Sequence, residues 1–177
     1  MIEDHLKGEV IEVDGLEGQL RKSFEKFLAW KEKQKFKFIQ LEIQLHSKKY
    51  KYAGTVDAVA IEKSEDPITK KEITKTYLFD WKTSKNIYNV NALQLSAYAY
   101  AYEEMYGVKI DEAFVVKIDK VTKSVSVKKI SNLSYSFSTF KAALFLYGSL
   151  KKNHFSPNGY NNKNIIEELG NEEIIEV

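Results

Sequence analysis

The stretch Tyr77-Leu78-Phe79-Asp80-Trp81-Lys82 decides the fold, because an apolar run leads directly into two charged side chains separated by one aromatic residue. The run predicts an interior β-strand at about residues 76–82. Successive side chains of a strand point to opposite faces, so Asp80 and Lys82 share one face and Trp81 lies on the other. Asp80 is also the only Asp or Glu of the chain that is followed two positions later by Lys. The strand is therefore predicted to end in a carboxylate and an ammonium group placed side by side.

A second carboxylate is predicted on the preceding strand, at about residues 50–62. There Asp57 shares a face with Thr55 and Val59 by alternation. If the two strands pair as antiparallel neighbours, Asp57 and Asp80 lie within roughly 5 Å of each other. Two carboxylates that close repel each other unless a cation lies between them. Their oxygen atoms suit Mg²⁺ or Mn²⁺ better than zinc, so the pattern predicts a divalent metal site.

Other groups near this strand complete a candidate catalytic site. Lys82 is placed to orient or help deprotonate a water that attacks a phosphodiester, and the backbone carbonyl of Trp81 is a candidate third metal ligand. A helix predicted over residues 89–106 carries Gln94 and Tyr98 four positions apart, so both face one way and could support the lysine or a substrate phosphate. The alternative for Tyr98 is a packing role at the edge of the core, with its hydroxyl reaching water.

Four further residues have two interpretations each. Thr83, Ser84 and Lys85 are candidate donors to substrate phosphates, or they form the turn that leaves the strand. Glu42, on an earlier strand, is a candidate supporting acid or a solvent-facing residue. The two aspartates could themselves be surface partners of Lys82, although a carboxylate behind an interior apolar strand is costly to bury without compensation.

The order of elements predicts an α+β fold with a central mixed five-stranded sheet flanked by helices. The 177 residues fit one domain over residues 1–177, and we expect residues 153–177 to form a mobile C-terminal tail. A strand at 38–45 alternates strictly, with Ile39, Leu41, Ile43 and Leu45 inward. The remaining predictions are helices at 14–35 and 135–152, strands at 112–119 and 123–130, a turn at 120–122 and an exposed loop at 63–75.

Composition narrows the class of protein. The net charge is only +2 and Arg21 is the only arginine, so any phosphates would be met by lysine point charges. The absence of cysteine excludes disulfides, thiolate zinc sites and an iron–sulfur cluster. No apolar run is long enough to span a membrane, so we expect no membrane partner and a cytoplasmic protein, in the host cell if the source is viral. No residue pattern indicates an oligomeric state.

Three motifs in order, Gly54-x-x-Asp57, Asp80-x-Lys82 and Gln94-x-x-x-Tyr98, resemble the PD-(D/E)XK nuclease superfamily. The match is closest to its RecB-like exonuclease branch, which includes phage exonucleases and the mitochondrial single-stranded DNA exonuclease, and it covers roughly residues 10–150. The resemblance implies a restriction-endonuclease-like core with DNA as partner. It implies that the two aspartates hold Mg²⁺ or Mn²⁺, that Lys82 is the catalytic lysine, and that the function is exonucleolytic, in recombination, repair or phage DNA processing.

Two departures from that branch bear on activity. Its members carry a metal-binding His in a pattern like His-x-x-Ile-Glu-x-x-Leu-x-Gly. Residues 2–8 match the end of this pattern, which places the expected His before Met1. His5 is out of register with the pattern. Either the chain begins late, or His5 substitutes, or the site works with fewer ligands. Relatives also often bind an iron–sulfur cluster through four cysteines, and this chain has no cysteine.

Three rival functions therefore stay open. The first is a DNA-end or partner-binding subunit of the same fold without catalysis. The second is an endonuclease of that fold, structure-specific or restriction-like. The third is an unrelated α+β interaction protein whose carboxylates are surface charges, which would place Asp57 and Asp80 on opposite faces of the sheet.

Overall fold

A mixed β-sheet with helices on both faces organises the chain. The computed structural model describes Leu6 and residues 18–84, 86–119, 124–152 and 175–176. The main strands run in the order β1-β2-β3-β4-β5, so the predicted α+β class with a five-stranded mixed sheet is confirmed. The described elements are α1 (Gly18–Glu32), β1 (Lys37–Ser47), β2 (Tyr52–Glu65), β3 (Glu72–Lys82), α2 (Asn89–Tyr106), β4 (Glu112–Ile118), β5 (Val125–Lys129), α3 (Leu133–Leu150) and β6 (Ile175–Glu176).

Strand directions follow from the connections. The β1–β2, β2–β3 and β4–β5 pairs are antiparallel, while β3 and β4 are parallel and are connected through α2. A parallel pair needs such a crossover, because a tight turn cannot return the chain in the same direction. The short β6 pairs in parallel with the beginning of β2.

The two faces of β3 contact different helices. Phe79 and Trp81 face α1, where Trp81 meets the ring of Phe27 edge to face at 5.5 Å. Leu78 is fully buried on the other face, in the main core with Leu95 of α2. We call the first group the aromatic cluster; its rings belong to Trp30, Phe36, Phe38, Tyr77, Phe79, Trp81 and Phe114.

Helix α2 lies over the main core, and both of its ends are set by local contacts. The backbone N–H of Tyr88 donates to Asn91 Oδ1 at 2.8 Å before the first turn. After the last turn Gly107 adopts the left-handed region at φ 67°, and its N–H donates to Glu103 O. A glycine is favoured at this position because a Cβ would be strained there. The predicted span 89–106 is confirmed.

Polar contacts from α2 lock it to the first two strands. Tyr52 OH donates to Ala97 O, and Tyr102 OH donates to Gln40 Oε1, each at 2.8 Å. At the end of the helix Glu104 accepts from the hydroxyl of Ser47 at 2.6 Å. These directional bonds fix where the helix lies along the sheet, which apolar packing alone specifies weakly.

Strict alternation along β1 is wrong. A β-bulge interrupts the pairing with β2 between Phe38 and Gln40, and Glu42 has a positive φ of 50°. As a result Ile39 is 45% exposed instead of buried, and Leu41 packs on the aromatic cluster instead of the main core. An extra residue in a strand shifts every later side chain relative to the partner strand, so one alternating pattern cannot describe both halves.

The predicted loop at 63–75 is exposed, but it is shorter than predicted and covers only residues 66–71. Strand β2 continues to Glu65 and β3 begins at Glu72, so the two form a hairpin that extends past the core. An ion pair joins Lys63 and Glu72 at 2.9 Å across this extension. A strand of this kind cannot be predicted from an alternating apolar pattern, because its residues are polar and its backbone hydrogen bonds, not burial, stabilise it.

Two further observations concern membrane spans and the predictions that fall outside the described residues. In the part of the chain that the structure describes, no helix is long and apolar enough to cross a membrane. The predicted helix start at Asp14, the turn at 120–122 and nearly all of the tail at 153–177 lie outside the described residues.

Candidate functional site

The central strands β2 and β3 part at the two predicted aspartates. Their pairing ends at Ala58 opposite Phe79, and the next residue on each strand is Asp57 and Asp80. On the N-terminal side of Asp57, β2 stays paired with β1 and its first residues pair with β6. On the C-terminal side of Phe79, β3 continues beside β4 as far as Lys82. We call this divergence the fork. It places both carboxylates at one opening in the sheet.

A change of face in β2 accompanies the fork. Val56 and Val59 both belong to the main core, while Ala58 packs with the aromatic cluster. Strict alternation would put Val56 with Ala58, so the strand rotates at Asp57. The predicted face shared by Thr55, Asp57 and Val59 is therefore wrong.

The Asp57 carboxylate spans the fork. Its Oδ2 accepts a hydrogen bond from the backbone N–H of Trp81 at 2.6 Å. Where strands separate, a backbone N–H loses its partner on the neighbouring strand and must be satisfied elsewhere. A carboxylate forms a strong, charge-assisted bond with it, so Asp57 holds the two strands together just where they part.

Asp80 and Lys82 form a buried ion pair at the end of β3. Lys82 Nζ lies 3.0 Å from Asp80 Oδ1 and 2.8 Å from Oδ2. Asp80 is only 4% exposed, and among the described residues its Oδ2 has no partner with hydrogen-bond geometry. Burial raises the pKa of Asp80 above its usual value, although the hydrogen bond and charge of Lys82 act in the opposite direction. The carboxylate is thus held in a place that costs free energy.

A chain of hydrogen bonds runs from this ion pair through α2 to β2. Lys82 Nζ donates to Gln94 Oε1 at 3.3 Å, and Gln94 Nε2 donates to Tyr98 OH at 3.1 Å. The Tyr98 hydroxyl also hydrogen-bonds the backbone of Thr55. Gln94 and Tyr98 therefore connect the two sides of the fork, and the predicted spacing of four along one helix face is confirmed.

Tyr98 reports the charges on both aspartates. Burial, then the charge of Asp80 and more weakly that of Asp57, raise the pKa of Tyr98 to about 12. A Coulomb effect of both carboxylates on one hydroxyl requires both to lie near it. This does not support the opposite-face placement that would have favoured the third rival, whose function stays open.

The donor set fits a hard divalent cation. Asp57 and Asp80 supply carboxylate oxygens at the fork, and Asp80 Oδ2 is a buried acceptor without a hydrogen-bond donor among the described residues. Mg²⁺ and Mn²⁺ prefer such oxygens and keep several waters, so two carboxylates can suffice. Within the described ranges no group of three or more His, Cys, Asp or Glu residues converges to hold a metal.

The other predicted residues are placed less centrally. Ser84 Oγ donates to Asn86 O at 2.7 Å, which fits the turn alternative, and Thr83 is exposed. Glu42 is exposed on β1, between the pairs that flank Asp57, and its role as a supporting acid stays a prediction. Lys85 lies outside the described residues, and metal binding by the Trp81 carbonyl stays a prediction.

A second lysine–aspartate pair beside the fork was missed by the sequence reasoning. Lys117 is the register partner of Lys82 on the parallel strand β4, and its Nζ lies 3.0 Å from Asp119 Oδ2. The signal was present as Lys117-x-Asp119, the reverse of Asp80-x-Lys82, at the end of an alternating strand. Only the parallel pairing of β3 with β4 makes the two pairs neighbours.

Comparisons with known proteins add no relative. No protein-family model matches the chain, and no curated protein matches it. What the site does must therefore be argued from its own geometry.

Proposed function

We propose that this chain is a Mg²⁺- or Mn²⁺-dependent DNA nuclease of the RecB-like type, an exonuclease that hydrolyses phosphodiester bonds. The observation that supports it most is the connected chain from Asp80 through Lys82 and Gln94 to Tyr98, located where β2 and β3 diverge. A structural ion pair needs no opening in a sheet and no amide–phenol pair to position it. A site that must hold a water and a phosphate needs both.

Each residue has a distinct role in this proposal. A cation held by Asp57 and Asp80 would polarise the phosphoryl oxygens and favour deprotonation of a water. Lys82 donates toward the attacking water or a phosphate oxygen, which stabilises the charge that develops as the water oxygen bonds to phosphorus. The bond from phosphorus to the leaving nucleotide oxygen breaks as this bond forms, and the leaving oxygen takes a proton from solvent. Gln94 restricts the lysine to one orientation through its Oε1, and Tyr98 orients the Gln94 amide.

The test is digestion of end-labelled linear DNA, single- and double-stranded, in Mg²⁺, Mn²⁺ or EDTA. We expect metal-dependent cleavage that Lys82→Ala lowers about 10²-fold or more, the usual size of a lost acid–base or charge-stabilising group. Asp80→Ala should lose cleavage as well. The control is Lys63→Ala, which removes an exposed ion-paired lysine of the β2–β3 hairpin and should leave the rate unchanged. Full activity in folded Lys82→Ala would refute the proposal.

A non-catalytic DNA-binding subunit is the second candidate, because only two carboxylates converge at the fork among the described residues. It predicts binding of DNA ends with no cleavage in any metal. An endonuclease of the same fold would also cut covalently closed circular DNA, which an exonuclease leaves intact. One set of linear and circular substrates therefore separates the three functions.

A further inference from the structure

The Lys117–Asp119 pair lies beside the fork but takes no part in the chain that supports the proposed nuclease. Strand β4 alternates faces: Ala113 and Val115 belong to the main core, whereas Val116 packs with the aromatic cluster. Lys117 therefore projects on the main-core side, the same side as Leu78, Asp80 and Lys82 of β3.

The two lysines are direct neighbours across a parallel strand pair. Lys82 and Lys117 are register partners, so their backbones lie about 4.8 Å apart, at the carboxyl ends of both strands. In sheets with parallel strands, ligands bind outside these ends. Two ammonium groups this close would repel, but each has its own carboxylate: Asp80 for Lys82 and Asp119 for Lys117.

The pair is partly buried, unlike the Lys129–Glu112 pair at the opposite end of the same strands. The Lys117 and Asp119 side chains are 14% and 17% exposed, whereas those of Lys129 and Glu112, at the far end of β4 and β5, are 54% and 30% exposed. Desolvation strengthens the interaction of a lysine with any anion that reaches it. Ser126 of β5, the register partner of Lys117, adds a hydroxyl residue beside it.

We propose that Lys117 is a substrate-binding residue that contacts a second phosphate of the DNA strand, next to the phosphate at the fork. Asp119 is its partner in the absence of DNA, and the DNA phosphate takes its place on binding. Neighbouring lysines on neighbouring strands match the successive negative charges of one polynucleotide strand. This inference rests on the proposed function for its substrate.

The test compares two double variants that each remove one ion pair without leaving an unpaired charge. Lys117→Met/Asp119→Asn removes the pair beside the fork, and Lys129→Met/Glu112→Gln removes the pair at the opposite end of the same strands. DNA affinity is measured by fluorescence anisotropy in EDTA over a salt series. The fork-side variant should bind about tenfold more weakly, and its slope of log affinity against log salt should fall by about 1. The control variant should match the wild type.

Asp119→Asn alone separates a phosphate contact from a structural role. It removes the competing carboxylate but keeps the lysine, so we expect DNA affinity equal to or tighter than the wild type. In cleavage assays the double variant should raise KM about tenfold and keep kcat within about twofold, because the group binds rather than reacts. A structural role would lower Tm in both variants and leave the salt slope unchanged.

The outcomes for this inference and for the nuclease proposal are distinguishable. A wild type that cleaves, with a Lys117 variant indistinguishable from the Lys129 control in KM and salt slope, overturns this inference alone. A wild type that binds DNA without cleaving, with binding weakened only at Lys117, supports the phosphate contact and overturns the nuclease. A wild type that does not bind DNA overturns both.

Discussion

At the scale of single residues, Asp80 is the side chain whose position is hardest to explain by stability. It is 4% exposed, its pKa is raised by burial, and its Oδ2 has no hydrogen-bond donor among the described residues. Charged groups without full compensation are retained at sites of function more often than in passive cores. The ionised Asp80 carboxylate therefore lowers the free energy of unfolding of the metal-free protein.

Replacing Asp80 with asparagine should stabilise the metal-free protein. Because the folded-state pKa lies above the unfolded one, the favourable contribution of Asp80 is complete below about pH 3.8 and is lost as pH rises through the folded pKa. At pH 7 the ionised carboxylate therefore costs free energy. Lys82 stays 24% exposed in its side chain and keeps Gln94 as acceptor, so its loss of a partner is tolerated. We expect Asp80→Asn to raise stability by about 1 kcal/mol at pH 7 in EDTA.

Thermal unfolding between pH 4 and 8 checks this sign. The gain of Asp80→Asn should be largest at neutral pH and shrink toward pH 4, where Asp80 becomes protonated. A suitable control is Asp111→Asn, because Asp111 accepts the N–H of Thr76 in the middle of β3, away from the fork, and should show no gain. A less stable Asp80→Asn at pH 7 would contradict the expectation.

Much of the candidate site follows from spacing, and the rest depends on pairing. The shared face of Asp80 and Lys82 and the shared face of Gln94 and Tyr98 come from the periods of a strand and a helix. The bond from the Trp81 N–H to Asp57 could not be predicted, since it exists only because two strands separate there. Neither could the place of Lys117, which depends on a parallel neighbour 35 residues away.

At the scale of elements, α2 and β1 differ in the same way: the bounds of α2 depend on local contacts, and the register of β1 depends on its partner strand. The limits of α2 are local: a side-chain acceptor at Asn91 near its start and a left-handed Gly107 after its end. The bulge of β1 after Phe38 belongs to its pairing with β2, and neither the bulge nor the positive φ of Glu42 is recorded in a local sequence pattern. The bounds of α2 were therefore predictable where the register of β1 was not.

Helix α3 allows a direct test of which apolar residues stabilise the fold. Phe137 is 2% exposed and stacks on Tyr100 with ring centroids 3.9 Å apart, and Phe140 contacts the ring of Tyr52 at 5.0 Å. Phe145, on the same helix, is 79% exposed. Phe137→Ala should cost about 3–5 kcal/mol of unfolding free energy, and Phe145→Ala within about 0.5 kcal/mol.

Urea unfolding of the two variants beside the wild type provides the measurement, with equal m values as the condition for comparing midpoints. Both changes delete the same ring from the same helix, so helix propensity cancels between them. A cost at Phe145 comparable with that at Phe137 would show that its exposed ring is covered in solution.

At the scale of the whole molecule, the two faces of the sheet differ: one packs the aromatic cluster against α1, and the other carries the polar residues of the fork. The aromatic cluster and α1 support β3 from behind, with Phe79 stacked on Phe114 at 5.2 Å. On the other side α2 spans the fork through Gln94 and Tyr98. A net charge of only +2 supplies little general attraction for DNA, so the DNA binding that we propose would have to come from locally placed lysines.

A divalent cation should therefore stabilise the whole fold. An ion that binds the folded chain alone adds RT ln(1 + [L]/Kd), about 2.7 kcal/mol at a concentration of 100 Kd. For a domain of this size that corresponds to a rise in Tm of roughly 5–10 °C. Because the cation would add a second positive partner beside Lys82 for the buried Asp80 carboxylate, Asp80→Asn should lose most of this shift while starting from a higher Tm in EDTA.

Differential scanning fluorimetry with Mg²⁺ or Mn²⁺ titrated at constant ionic strength measures this directly, and excess EDTA should reverse it. The Lys63→Ala variant keeps both carboxylates of the fork and should show the full shift. Equal shifts in the wild type and Asp80→Asn would place the cation elsewhere. No shift at millimolar metal would argue that two carboxylates are too few to hold it, and the non-catalytic subunit would then be the better description of this chain.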